Sequence, residues 1–446
     1  MNDMTTGSPL KKIVIFAIPL IIGNIFQLFY NMADTFIVGK TMGVEALAGI
    51  GAAGSVMFLV LGFSQGFAAG LSIPIAQAYG AKDYEKVRRS VTINWVLALS
   101  VSAVLTVLSL YALPSILAFM GTPSEIIEHT KAYLSVIFGF LLVTVLYNML
   151  SNMMRSLGDS RTPLYFLICA AVTNIVLDYI FIGQLGMGVG GAGLATIISQ
   201  ALAVVLCLMS IYHKWTLLRP NFTKRNLRAD EVWYHCRIAF PMAFQASIIA
   251  LGAISVTMAL NRLGAVAVAS FSAAHKVELV VILILMSFGV AMATYVGQNF
   301  GAKQFERIKQ GVRQLTILSV FMSVVFGLMM IVGGKHLVAF FVSGENAGQM
   351  LVYGETYFYM NAPFYWLLSL LFIYRYTLQG LGDSVVPTIA GFMELIMRVA
   401  ASFILSGIWG FAGISIASPL AWVGAVIPLS YAYHTKKNKL ATLVRL

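Results

Sequence analysis

"YGAKDYEKVRRSV" occupies residues 79–91, and "FGAKQFERIKQGV" occupies residues 300–312. Both begin on an aromatic residue and Gly-Ala-Lys, then place an aromatic, a glutamate and basic residues at the same intervals. Three more pairs follow in the same order: "LGDSRTP" (157–163) with "LGDSVVP" (381–387), "GAGLAT" (191–196) with "FAGISI" (411–416), and Pro19 with Pro241. All four pairs are offset by 220–224 residues. Self-similarity at a fixed offset marks an internal repeat. The chain is therefore read as two copies of one unit.

What each copy contains follows from composition. The 446 residues are 59% hydrophobic and 10% charged, where a soluble domain carries roughly 25% charged residues. Apolar runs of about 20 residues, the length that crosses a bilayer, recur throughout. Charged or Gly/Pro-rich punctuation delimits twelve spans. They are 12–38, 46–78, 88–113, 125–156, 162–182 and 190–213, then 232–262, 268–300, 306–334, 348–380, 385–406 and 411–434. The expected fold is an all-α polytopic membrane protein with twelve transmembrane helices in two six-helix bundles. Six is even, so both copies cross in the same direction. Parallel repeats of that kind are related by a pseudo-twofold axis along the membrane normal, with a cavity between them. The opening "MNDMTTGSPLKK" has no signal-peptide cleavage pattern, so the first span is expected to be retained. The polar stretch 214–231 reads as a cytoplasmic linker between an N-terminal lobe (1–213) and a C-terminal lobe (232–446).

The net charge of +12 comes from membrane orientation rather than nucleic-acid binding. One set of span ends holds 22 of the 29 basic residues, and basic residues mark cytoplasmic loops. Both termini are then cytoplasmic, in a multi-pass protein of the cell (inner or plasma) membrane. Cys169, Cys207 and Cys236 lie far apart without CxxC spacing and suit apolar packing. A Walker P-loop, GxSxG and HExxH are all absent from the sequence. An enzyme and a bound cofactor are not expected. Work must be driven by an ion gradient or by none.

The loops carry their own signals. In "GAK" the glycine is expected to supply the freedom to reverse. In "LGDS" the glycine suits a helix C-cap, and Asp159 or Ser160, and Asp383 or Ser384, suit the next N-cap.

Ionisable groups inside spans cost at least ~2.5–3.5 kcal/mol at the helix centre and mark candidate sites. In the first span Asn24, Gln27, Asn31 and Asp34 are spaced 3, 4 and 3, which puts them on one face. In the fifth span Asn174 and Asp178 are i, i+4, and the sixth span supplies Thr196. Asp34, Asn174, Asp178 and Thr196 are expected to meet in the outer half of the first bundle. Two carboxylates with amide and hydroxyl oxygens suit a proton, because burial and like charge favour the neutral acid. The same oxygens suit Na⁺. The alternative for Asp34 is a stripe that only bonds a neighbouring helix. Pro19, inside the first span, removes a backbone donor and favours a bend.

The second copy differs. At offset 220 the positions of Asn174 and Asp178 hold Glu394 and Arg398, a self-neutralising i, i+4 pair. Lys276 and Glu278 are candidates for the same network, in a structural or a substrate-binding role. His275 beside them suits hydrogen bonding. The seventh span has no acid, only polar groups such as Gln245. "YFYMNAPFYW", from Tyr357 to Trp366, suits either an interfacial belt or the wall of a cavity that stacks flat cations.

Twelve spans in two halves, the paired "GAK" and "LGDS" loops, and Asp34 together resemble the multidrug and toxic-compound extrusion (MATE) family over almost the whole chain. The acid set resembles the DinF-type branch, whose cation site uses an Asp on helix 1, an Asn and Asp one turn apart on helix 5, and a Thr on helix 6. Asp34, Asn174, Asp178 and Thr196 match these; Tyr133 is a weaker match to the family's tyrosine near that site, and Asn31 and Gln27 are further neighbours. The acids of the NorM-type branch on helices 7 and 10 have no counterpart on the seventh span, and Glu355 stands only at the start of the tenth. The resemblance implies a monomeric antiporter in membrane lipid that exports small xenobiotic substrates, often cationic and aromatic, against H⁺ or Na⁺. The alternative is a flippase for lipid-linked sugar or cell-wall precursors.

Overall fold

The computed structural model describes residues 3–120, 122, 124–222, 227–341 and 346–444. The side chains of Asp34, Val44, Glu45, Leu47, Ser55, Phe119 and residues 439–444 lie outside the described residues. The chain is nearly all helix. The first copy comprises α1 (Pro9–Met42), α2 (Val44–Gly80), α3 (Tyr84–Phe119), α4 (Ser124–Gly139), α5 (Leu141–Ser156), α6 (Arg161–Asp178) and α7 (Gly188–His213). The second comprises α8 (Ala229–Asn261), α9 (Ala265–Gly301), α10 (Phe305–Ala339), α11 (Ala347–Asn361), α12 (Tyr365–Gly380), α13 (Val385–Trp409), α14 (Phe411–Ser415) and α15 (Ala417–Val444). Among the described residues, ten helices are long and apolar enough to cross a membrane. An eleventh span is made by α4 and α5, bent by 52°.

The fourth and tenth expected spans are thus each broken rather than straight. The first break follows Gly139, at Phe140. The second is a 3₁₀ turn, Ala362–Phe364, which contains Pro363. Proline lacks the amide that a continuous helix needs and its ring crowds the preceding turn.

The repeat extends to backbone conformation. Gly43 and Gly264 (φ 85° and 93°), Lys82 and Lys303 (59° and 57°), and Gly158 and Gly382 (88° and 83°) are all left-handed. In the "GAK" loops the left-handed residue is the lysine, not the glycine. The reversal comes after α2 and α9 have ended. The Asp83 amide then reaches back to the Ala78 carbonyl (3.0 Å) and the Gln304 amide to the Asn299 carbonyl (2.8 Å). These bonds close the helix end, as a left-handed C-terminal cap does. In the "LGDS" loops the aspartates cap. Asp159 Oδ1 accepts from the amides of Arg161 and Thr162 (3.1 and 3.0 Å), and Asp383 Oδ1 from those of Val385 and Val386 (3.2 and 3.3 Å).

The chain forms two compact units. One is Met1–Asp3 with Ile22–Ser247; the other is Met4–Ile21 with Ile248–Leu446. The changes fall inside α1 and α8, just after Pro19 and Pro241, so compact units and sequence copies do not coincide. In the first unit Phe67, Leu71, Ala239 and Ala243 form a core between α2 and the first half of α8. Gly70 allows this approach: a Cβ there would lie 3.1 Å from the Ala239 nitrogen. Tyr234 Oη donates to Gln77 Oε1 (2.8 Å), and Arg89 pairs with Glu231 (3.0 Å). In the second unit Phe16, Ala17 and Leu20 of α1 pack with Phe288, Met292 and Tyr295 of α9. The Met4 amide donates to Gln298 Oε1 (3.1 Å).

Candidate functional site

In the first unit α6 and α7 bring together three of the expected residues. Asn174 and Asp178 are fully buried, one turn apart on α6. With the Asn174 amide oriented to satisfy both its ends, an assignment made from the hydrogen-bond network, Nδ2 donates to Asp178 Oδ2 (2.9 Å) and Tyr30 Oη (3.1 Å). Its oxygen accepts from the Thr196 amide (3.0 Å). Thr196 Oγ1 donates to the Ala192 carbonyl at 3.0 Å, one turn back on α7. Asn174 therefore ties α1, α6 and α7 to one point beside a buried carboxylate.

Tyr30 did not figure in the sequence reading. Its signal was available: it stands one turn before Asp34, on the face expected to carry polar groups. Asp34 lies in α1, but its side chain falls outside the described residues. Directly after Asp178 the chain changes to a π-helical turn, Tyr179–Gln184. Such turns occur frequently at functional sites, and no sequence pattern announced this one.

The other expected neighbours divide. Gln27 lines a small cavity of about 50 Å³ with Tyr30, Tyr147, Ser199 and Gln200. Roughly three waters fit such a space at about 10–15 Å³ each. Thr144 Oγ1 donates to Gln200 Oε1 (2.7 Å), which fixes one polar wall. Asn31 is exposed. Tyr133 is buried on α4 with its carbonyl towards α7, where a Cβ on Gly193 would lie 3.4 Å away. Pro19 lies within α1, which stays helical through it.

The second unit holds a different chemistry. Glu394 of α13 accepts from Arg398 Nη2 on the same helix and from Arg375 Nη2 of α12, both at 2.8 Å. The expected i, i+4 pair is therefore a buried triad. Arg375 was overlooked as a partner because it stands on the preceding helix, and helical spacing names neighbours only within one helix. Glu278 does not join the triad. It accepts from Tyr357 Oη, in a short hydrogen bond, and lies 3.3 Å from His275 Nδ1. Lys276 is exposed. It points away because Glu278 is two residues further along, on another face of the helix. Tyr357 is core, 1% exposed, so it is neither an interfacial belt nor an open wall. Trp366 is exposed, and Gln245 is buried in the other compact unit.

The comparisons with known proteins follow the same duplication. The MatE family model matches residues 19–180 and again 241–404, each match beginning at one of the paired prolines. The chain belongs to the MatE family. Relatives of this MatE protein span more than nine tenths of its length. The "Probable multidrug resistance protein YpnP" of Bacillus subtilis is 26% identical and covers 94% of each chain. The "Multidrug export protein MepA" of Staphylococcus aureus is 21% identical over 91% of this chain and 89% of its own. Among solved structures, one described as "Crystal structure of MATE in the bent conformation" superposes with a TM-score of 0.90 at 22% identity. It covers 100% of this chain and 99% of that one. The likeness in structure shows that this member of the MatE family has the two-lobe, multi-pass fold of MATE transporters.

Proposed function

We propose that this MatE protein is a secondary active exporter that antiports amphipathic organic cations against H⁺ or Na⁺ by alternating access. The single observation that carries this is the Asn174 node, which joins Tyr30, Asp178 and Thr196 inside the membrane span. Asp34, one helical turn beyond Tyr30 along α1, is the second acid that the sequence reading assigns to that site. A buried acid in a bilayer is expensive, and a cluster of oxygens around it suits a small cation that comes and goes. Three helices meet at Asn174, so a change of ligation there bears on the direction of α1, with Pro19 as the point that yields. Three of the node's residues, Asn174, Asp178 and Thr196, are ones that the DinF-type resemblance names. The exporter acts as a monomer in the cell membrane with both termini cytoplasmic, and needs no cofactor beyond the coupling ion.

The test is dye efflux from proteoliposomes under an imposed pH or Na⁺ gradient. Either gradient should drive efflux in the parent protein, and Asp34→Asn and Asp178→Asn should each abolish the gradient dependence. Efflux indifferent to both gradients ends the antiport reading. Normal coupling in both variants ends the assignment of the site.

A further inference from the structure

The geometry points to a subsite for an anionic group, a carboxylate or phosphate of a small organic amphiphile, at the Arg375–Glu394–Arg398 triad of the second unit. Two guanidiniums share one carboxylate, so the triad carries one excess positive charge within the membrane-spanning helices. Among the described residues, Glu394 is the one carboxylate to which either arginine bonds. Glu278 already takes its own donors, Tyr357 and His275. Each arginine makes one described hydrogen bond, in both cases to Glu394, and each has further donors in its planar fork. The Nε atoms of both are buried without a partner among the described residues. Arg375 is 6% and Arg398 12% exposed in its side chain. Buried donors are normally satisfied, and a pair of forks with spare N–H groups fits the oxygens of a carboxylate or phosphate.

The surrounding structure makes room for this pair. Gly252 of α8 faces Arg398, where a Cβ would lie 3.3 Å from Cδ and 3.4 Å from Nη1. Any side chain at that position would press on the guanidinium. Glu394 fixes the forks from one side and leaves the remaining N–H groups to a ligand.

The inference rests on the exporter reading and narrows its substrates to organic cations that also carry an acidic group, as rhodamine B does; its test measures binding without transport. The protein is reconstituted in neutral phosphatidylcholine nanodiscs. Fluorescence anisotropy then compares rhodamine B, which has a free carboxylate, with its ethyl ester, which has none. The parent should prefer the acid. In Arg398→Gln that preference should fall about tenfold, as expected for one charge-assisted contact, with the ester bound as before. Arg398→Lys keeps the charge but loses the fork, and should recover part of the preference. On the parent protein alone, phenyl phosphate should displace rhodamine B and benzyl alcohol should not, which covers the case of a variant that fails to fold. An acid-to-ester ratio unchanged across the three proteins overturns the subsite. So does absence of displacement by phenyl phosphate. Displacement by added phosphatidylglycerol but not by phenyl phosphate overturns it in favour of a lipid headgroup.

Discussion

Replacing Glu394 by methionine removes the one carboxylate that holds two buried guanidiniums. The size of the effect follows from the geometry. Both bonds are 2.8 Å, and Glu394 and Arg375 are 7% and 6% exposed in their side chains, so solvent offers little replacement. Charge-assisted hydrogen bonds contribute about 1.5–3 kcal/mol each. Removing one partner of a buried ion pair costs about 3–5 kcal/mol, because the other charge stays behind unpaired. Here two charges stay behind and also repel each other, so Glu394→Met should destabilise by about 3–5 kcal/mol or somewhat more. Replacing all three residues with leucine or methionine removes the charges together. That variant should return to within about 1–2 kcal/mol of the parent, since packed apolar groups substitute well for a buried ionic cluster. Reversible SDS-driven unfolding in mixed micelles measures both. A loss below about 1 kcal/mol in Glu394→Met, or a triple variant as unstable as the single one, would refute the account of the triad as a buried, mutually dependent cluster.

Other expectations follow from single contacts. Tyr30→Phe removes one acceptor of the Asn174 amide and should weaken coupling-ion binding by about fivefold, at about 1 kcal/mol per hydrogen bond, read as a shift in the ion concentration for half-maximal efflux. Asn174→Ala breaks all three bonds of the node and should lose coupled efflux while retaining a monodisperse fold. Gly70→Val crowds the Ala239 backbone and should destabilise by about 1–3 kcal/mol in the same SDS unfolding measurement. Pro19→Ala should impair efflux more than it impairs folding; efflux equal to the parent's would remove the proline from the mechanism.

The sequence determined much of this protein unaided. Hydrophobic run lengths and punctuation located the ten long apolar helices and the bent α4–α5 pair among the described residues, because a bilayer demands about 20 apolar residues and tolerates few charges. The paired loops revealed the duplication, because a repeated backbone turn needs repeated local chemistry. Thus Lys82 and Lys303, and Asp159 and Asp383, share their conformations or caps. The i, i+4 pairs, Asn174 with Asp178 and Glu394 with Arg398, were legible because helical spacing alone makes them neighbours. Partners from other helices were not legible. Tyr30 at Asn174, Arg375 at Glu394, and Tyr357 at Glu278 are set by which helices pack together, and nothing in a local pattern encodes that choice. The exchange of the first halves of α1 and α8 between compact units is of the same kind. A polar linker announces a break in the chain, but only the packing of Ala239 on Gly70 and of Phe16 on Met292 decides to which unit each half-helix belongs.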